Sequence, residues 1–170
     1  MMEDYSEEEI EEKPSLFKRI FVIIIAIFLL ILMLSYFTLF GVRDILEGIA
    51  GSHKMQDDKI YFFNKTISFE NNSYNRLLEI YDKNLGNEFK ACLVGEYDKN
   101  YFIYDLYIPK TYEQKPSEVI SEPCDSIISL HSHPKMFCIP SQQDFKTFKQ
   151  EKSDLMLVMC EKDRFTIYEK

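Results

Sequence analysis

The chain has 170 residues, 46% of them hydrophobic and 28% charged, with a formal net charge of −8. That length accommodates one domain of ordinary size plus a membrane segment, and such a domain buries an adequate core without covalent staples. Seven acids and no base fall within residues 1–12, leaving a nearly neutral remainder of 21 acids and 20 bases. This balance excludes a basic face for nucleic acid, and no nucleic-acid partner is expected.

In chain order, residues 1–16 read as an acidic, solvated and disordered tail. Residues 20–42 carry no charge and are dominated by Ile, Leu and Phe. At 1.5 Å per residue they span the roughly 30 Å of a bilayer core, so 17–42 are assigned to a transmembrane helix. A cleaved signal peptide has a shorter apolar region and a small-residue cleavage site, so an uncleaved single-pass anchor is expected. Lys13, Lys18 and Arg19 precede the segment, and Arg43, Lys54 and Lys59 follow it. The positive-inside count nearly ties, leaving the side of the following domain open; the adjacent Lys18-Arg19 pair leans towards an inside N-terminus, and the reading of the domain given below leans the opposite way, towards the domain inside.

Residues 43–58 hold two glycines, mixed charges and little periodicity beyond Ile45-Leu46 and Ile49, and are expected to be a linker. A domain over 59–170 then opens with strand-like runs at 59–63 and 66–69. A helix capped by Asn72 or Ser73 follows, with Tyr74, Leu77, Leu78, Tyr81 and Leu85 on one face and Gly86 as its stop. Residues 89–95 and 101–108 read as strands joined by a turn at Asp98-Lys99-Asn100. A polar connection over 109–125 carries three prolines. Residues 127–130 form a short buried strand. A short helix from Ser141 offers Phe145 and Phe148 to the core, the apolar run 155–160 is a strand buried on both faces, and 164–168 alternate as a half-exposed strand. The order β-β-α-β-β-β-α-β-β predicts an α+β domain with a mixed β-sheet flanked by helices.

Four cysteines (Cys92, Cys124, Cys138 and Cys160) show no CxxC spacing. Cys92 and Cys160 lie in apolar runs, where a thiol behaves as a small hydrophobe. Cys124 and Cys138 are in polar loops and would pair only in an oxidising compartment.

The chemistry concentrates at His131-Ser132-His133-Pro134, followed six residues later by Ser141-Gln142-Gln143-Asp144. Residues two apart on a strand share a face, so His131 and His133 project together from the end of the 127–130 strand. Pro134 turns the chain away. Ser141 then starts a helix as N-cap with Asp144 in its first turn. Two imidazoles and a carboxylate suit zinc, with a fourth position for water, which is the catalytic rather than the structural arrangement. Such a centre needs a base. Glu88, at the entrance of a core strand, is favoured; Glu96, beyond Gly95 and beside a polar turn, is the alternative.

On these residues the chain resembles the JAMM (MPN-plus) zinc metalloproteases, whose signature is an upstream glutamate and His-Ser/Thr-His-Pro-x6-Ser-x-x-Asp. Residues 131–144 match every fixed position, and 88–95 are similar to the segment carrying that family's glutamate. The resemblance covers roughly 60–170. It implies a JAMM/MPN, cytidine-deaminase-like layout, and zinc (Zn2+) held by His131, His133 and Asp144. It further implies Glu88 as general base and Ser141 as the donor to the oxyanion. It also implies hydrolysis of an isopeptide or peptide bond, with a ubiquitin-like or peptide-tailed protein as substrate. The short 109–125 connection leaves no room for insertions that grip two ubiquitins, so a small ubiquitin-like modifier is expected instead. Two other readings are a non-catalytic MPN-type scaffold, which would not need stoichiometric zinc, and a RadC-like protein, which the anchor and neutral domain oppose.

Overall fold

The computed structural model describes residues 15–39, 42–134 and 137–170, so residues 1–14 of the acidic tail lie outside it. Two units are separate: residues 1–41 and 42–170. The first contains helix α1 (Leu16–Leu39). Its stretch Leu16–Tyr36 has a mean hydropathy of 2.8, and it is long and apolar enough to cross a membrane. Beyond Lys18 and Arg19 it carries no charged residue, so it has no charged face.

The second unit is built on an eight-stranded mixed sheet. Its strands are β1 (His53–Lys54), β2 (Lys59–Phe62), β3 (Lys65–Phe69), β4 (Lys90–Asp98), β5 (Asn100–Tyr107), β8 (Ile128–Ser132), β9 (Leu155–Glu161) and β10 (Arg164–Glu169). They lie in the order β1-β10-β9-β8-β4-β5-β3-β2. The β8–β9 and β3–β5 pairs are parallel and the rest are antiparallel. Two helices, α3 (Ser73–Lys83) and α4 (Gln142–Gln150), accompany the sheet, and α4 lies in the crossover between the parallel strands β8 and β9.

Alternation divides the central strands into two faces. Ala91, Leu93, Ile128, Leu130, Leu155, Leu157 and Met159 form one face and share the main apolar core with Leu77 of α3. Lys90 and Cys92 pair with His131 and Ser129, which in turn pair with Val158 and Met156, so the opposite face is polar where the histidines stand. Gly95 is required by close approach: a Cβ there would lie 2.1 Å from the Phe102 carbonyl oxygen, at a register shift between β4 and β5.

Several expectations change in detail. Residues 43–58, expected as a linker, include β1 and most of helix α2 (Val42–Gly51). Arg164 donates to the Ser52 hydroxyl at 3.1 Å and so fastens the end of α2 to β10. The 109–125 connection folds into a hairpin of β6 (Thr111–Lys115) and β7 (Glu118–Ser121), because Pro116 and Ser117 supply a turn between two runs able to pair. Helix α3 ends at Lys83, earlier than expected, so Leu85 is exposed rather than on the packed face. Phe148 is buried, but Phe145 remains partly exposed against the Tyr168 ring, at a centroid distance of 5.1 Å.

Candidate metal centre

The antiparallel pairing of β4 with β8 assembles the site. Lys90 stands opposite His131, and continuing that register by two residues sets Glu88 opposite His133. A glutamate 43 residues upstream of one histidine thus reaches the strand end where both histidines emerge. Ser132 secures this junction twice. Its N–H donates to the Phe89 carbonyl at 2.9 Å, and its hydroxyl oxygen accepts the Phe89 N–H at 2.8 Å. The Glu88 N–H donates to the Lys115 carbonyl at 2.9 Å, which ties the hairpin beside the same residue.

His133 is held by its backbone N–H, which donates to the Met159 carbonyl at 2.9 Å. Its Nδ1 lies 3.1 Å from the Phe137 carbonyl oxygen. A carbonyl only accepts, so Nδ1 carries the proton and the Nε2 lone pair is left for the centre. Asp144 arrives on α4 through a capping box: Ser141 N–H donates to Asp144 Oδ2 at 2.6 Å, and Asp144 N–H donates to Ser141 Oγ at 3.1 Å. Capping uses a lone pair of the Ser141 oxygen. The hydroxyl hydrogen stays available to donate, so the two roles expected of Ser141 are compatible.

His131 Nδ1 lies 3.5 Å from Asp144 Oδ1, and His133 Nε2 lies 3.3 Å from Asp144 Oδ2 and 3.8 Å from Glu88 Oε1. Both nitrogens of His131 and the Nε2 of His133 are buried without a hydrogen-bond partner. Such orphaned polar atoms are costly unless something else satisfies them. Tetrahedral zinc with ligands at 2.0–2.1 Å would space its donors about 3.3 Å apart, close to both Asp144 separations. Among the described residues no three or more His, Cys, Asp or Glu side chains stand together so as to hold a metal ion between them. Asp144 instead meets the two imidazoles separately, one at each oxygen. The donor set, two imidazoles and a carboxylate, fits zinc.

The electrostatics are those of a buried mixed site. Burial pushes the Glu88 carboxyl up to about 7, against the pull of His133. Burial would also raise Asp144, but the adjacent His133 and His131 imidazoles and the Ser141 contacts outweigh it and hold Asp144 well below the carboxylate range. Burial lowers His131. It acts the same way on His133, but Asp144 and Glu88 overcome it and leave that imidazole raised. The centre therefore attracts positive charge on the Asp144 side and keeps a protonatable carboxyl at its edge.

Two clefts meet here. A groove of about 750 Å3 runs between β7 and α4, with Glu88, His131 and Asp144 along it and Gln143, Thr147 and Gln150 on the helix wall. A second cleft of about 440 Å3 opens past His133 and is bounded by Pro116, Pro134, Phe137 and Ile139. Glu88 and Ser141 border both. The alternative base, Glu96, is exposed further along β4 opposite Phe102 and does not reach the centre.

No protein-family model matches the chain, and no curated protein does. Among solved structures the chain is similar to a JAB1/MPN domain protein from Archaeoglobus fulgidus. The two share 21% identity with a TM-score of 0.39, over 59% of this chain and 87% of that one.

Three contributors to the site escape sequence reasoning. Ser132 is one; the hairpin wall is another. The third is a buried ion pair between Lys90 and Glu151, whose side chains are 1% and 0% exposed. Lys90 Nζ also donates to the Glu122 carbonyl at 3.3 Å, and Glu151 Oε1 accepts the Cys124 N–H at 3.3 Å, so the pair anchors the chain where it leaves the hairpin. A lysine inside an apolar strand was the available signal. Lys90→Met leaves Glu151 buried without its cation and is expected to cost about 3–5 kcal/mol, whereas Lys90→Met with Glu151→Leu recovers most of the loss. Urea denaturation of both variants checks this, and equal destabilisation of the two would contradict it.

Proposed function

We propose that the chain is a membrane-anchored zinc metallopeptidase of the JAMM type, hydrolysing a peptide or isopeptide bond at the end of an extended, ubiquitin-like tail. The observation carrying this reading is the convergence, at one strand end, of Glu88 and Asp144 with two buried imidazoles whose His131 nitrogens and His133 Nε2 have no hydrogen-bond partner. His131, His133 and Asp144 hold the metal. Zinc, when bound, lowers the pKa of water to about 7 and polarises a carbonyl. Glu88 accepts the proton of the attacking water at its carboxylate and later delivers it to the leaving amine nitrogen, as the new C–O bond replaces the broken C–N bond. The Ser141 hydroxyl donates to the carbonyl oxygen as negative charge develops on it. The substrate tail lies extended in the groove beside β7, pairing main chain with main chain as strand-adding ligands do. Glu88 leans towards His133, so the leaving amine faces the cleft bounded by Phe137 and Ile139.

The test is hydrolysis by the full chain in detergent, loaded with zinc and offered a panel of proteins carrying ubiquitin-like tails, with linear and lysine-linked leaving groups. Cleavage at the tail terminus, abolished in Glu88→Gln, is expected. Absence of cleavage across the panel, with zinc bound, would remove the reading. Ser141→Ala is expected to lower kcat by about 10²–10³, the effect typical of one lost oxyanion donor, with little change in KM. A loss confined to KM would reassign Ser141 to helix capping alone.

A further inference from the structure

The four cysteines form two disulfides, Cys92–Cys124 and Cys138–Cys160, and none remains free. By sequence, Cys124 and Cys138 could pair only in an oxidising compartment, and Cys92 and Cys160 read as core thiols. The sheet overturns this pairing, because Cys92 on β4 and Cys160 on β9 each face a loop cysteine. The bonds join positions 32 and 22 residues apart, and all four residues are buried.

Each bond fastens one wall of the candidate site. Cys124 lies where the chain returns from the β6–β7 hairpin, at the point that Lys90 and Glu151 also hold. The hairpin needs this fastening: every residue of β6 is exposed, and among the described residues it pairs only with β7. Cys138 lies between His133 and Ser141, on the stretch that bounds the apolar cleft, and its carbonyl accepts the Thr166 hydroxyl at 2.6 Å. Helix α2 packs against it, since a Cβ on Gly48 would sit 3.0 Å from the Cys138 Cβ. The two segments that border the groove and the cleft are thus each joined covalently to the sheet.

Disulfides of this kind persist where the surroundings are oxidising and are rare in a reducing cytosol. The positive-inside count nearly ties, and the basic pair Lys18-Arg19, immediately before the uncharged run 20–42, leans towards a cytosolic N-terminus, which agrees with a domain on the opposite side. We infer that residues 42–170 fold and work on the oxidising, non-cytosolic side of the membrane. There both walls of the site are fastened by disulfides, and the substrates are polypeptides exposed on that side. Each bond forms as two thiols pass two protons and two electrons to a thiol–disulfide oxidant of that compartment. The substrate part rests on the hydrolase reading above; the compartment and the pairing do not.

The test uses the full chain in the cells that produce it. A membrane-impermeant amine reagent is expected to label the exposed Lys99 in intact cells. After acid trapping, a bulky maleimide should add to no thiol before reduction and to four after it. Peptide mapping should join Cys92 to Cys124 and Cys138 to Cys160. Reduction should also speed proteolytic nicking within the hairpin by about tenfold, since the wall then opens locally. Labelling of Lys99 only after permeabilisation, reactive thiols without reductant, or a Cys124–Cys138 link would each overturn the inference. An outward, correctly paired domain that hydrolyses nothing sustains the compartment and removes the hydrolase.

Discussion

Glu88→Gln is expected to abolish turnover while making the metal-free protein more stable at alkaline pH. The kinetic part follows from the proposed role: a general base is commonly worth 10²–10⁴ in rate, and glutamine cannot accept the proton. The stability part follows from burial. The Glu88 carboxyl is raised from 4.5 to about 7 in the folded chain. Between these values the native state holds a proton that the unfolded chain has released, so the native state binds more protons and stability falls as pH rises. Above pH 7 the folded protein carries a buried carboxylate and the full penalty. Glutamine has no such penalty, so the variant gains on the order of 2–3 kcal/mol at pH 8 and close to nothing at pH 4. Urea denaturation in chelator at the two pH values measures it. An equal effect at both would show that the carboxyl is not held protonated by its surroundings. The combination separates a catalytic group from a structural one, because loss of a structural group costs stability.

Asp144→Asn is expected to abolish zinc binding at the proposed centre while leaving helix α4 in place. Asparagine keeps a carbonyl oxygen to accept the Ser141 N–H, now donated to Asp144 Oδ2 at 2.6 Å, so the capping box survives. What disappears is the negative charge between His131 and His133. Zinc prefers a carboxylate to a neutral amide, and the loss should exceed the roughly 10–100-fold that outer-shell substitutions cost. Metal analysis of the purified protein should fall from near one zinc per chain to a trace, and hydrolysis should fall with it. Thermal unfolding of the metal-free variant at neutral pH should show a loss of stability, because the carboxylate that His131, His133 and Ser141 hold below its usual range is gone. Asp144→Ala removes cap and ligand together and should lower both. Undiminished zinc in Asp144→Asn would take the aspartate out of the ligand set and leave it a capping residue.

The residues that share one stretch of chain were legible from their order. The spacing of His131, on β8, and His133, one residue past its end, sets both to one side, and Ser141 with Asp144 begins α4, since strand alternation and helix capping depend on neighbours a few positions away. The uncharged run that forms most of α1 is equally local, because its length and composition suffice. Glu88 could be favoured over Glu96 by position, but only the β4–β8 register brings it to the histidines.

The remaining features depend on which strands become neighbours. The pairing Cys92–Cys124 and Cys138–Cys160, the Lys90–Glu151 anchor beneath the hairpin and the double hold of Ser132 on Phe89 all join segments at least 22 residues apart. No periodicity along the chain encodes these contacts. They arise when burial of the apolar face formed by Ala91, Leu93, Leu130 and Leu157 selects one strand order and one register. The chain alone therefore determined which side chains could do chemistry and that a lipid-compatible helix precedes them. The packed sheet decided which of them meet, and which covalent and ionic ties hold the walls around them.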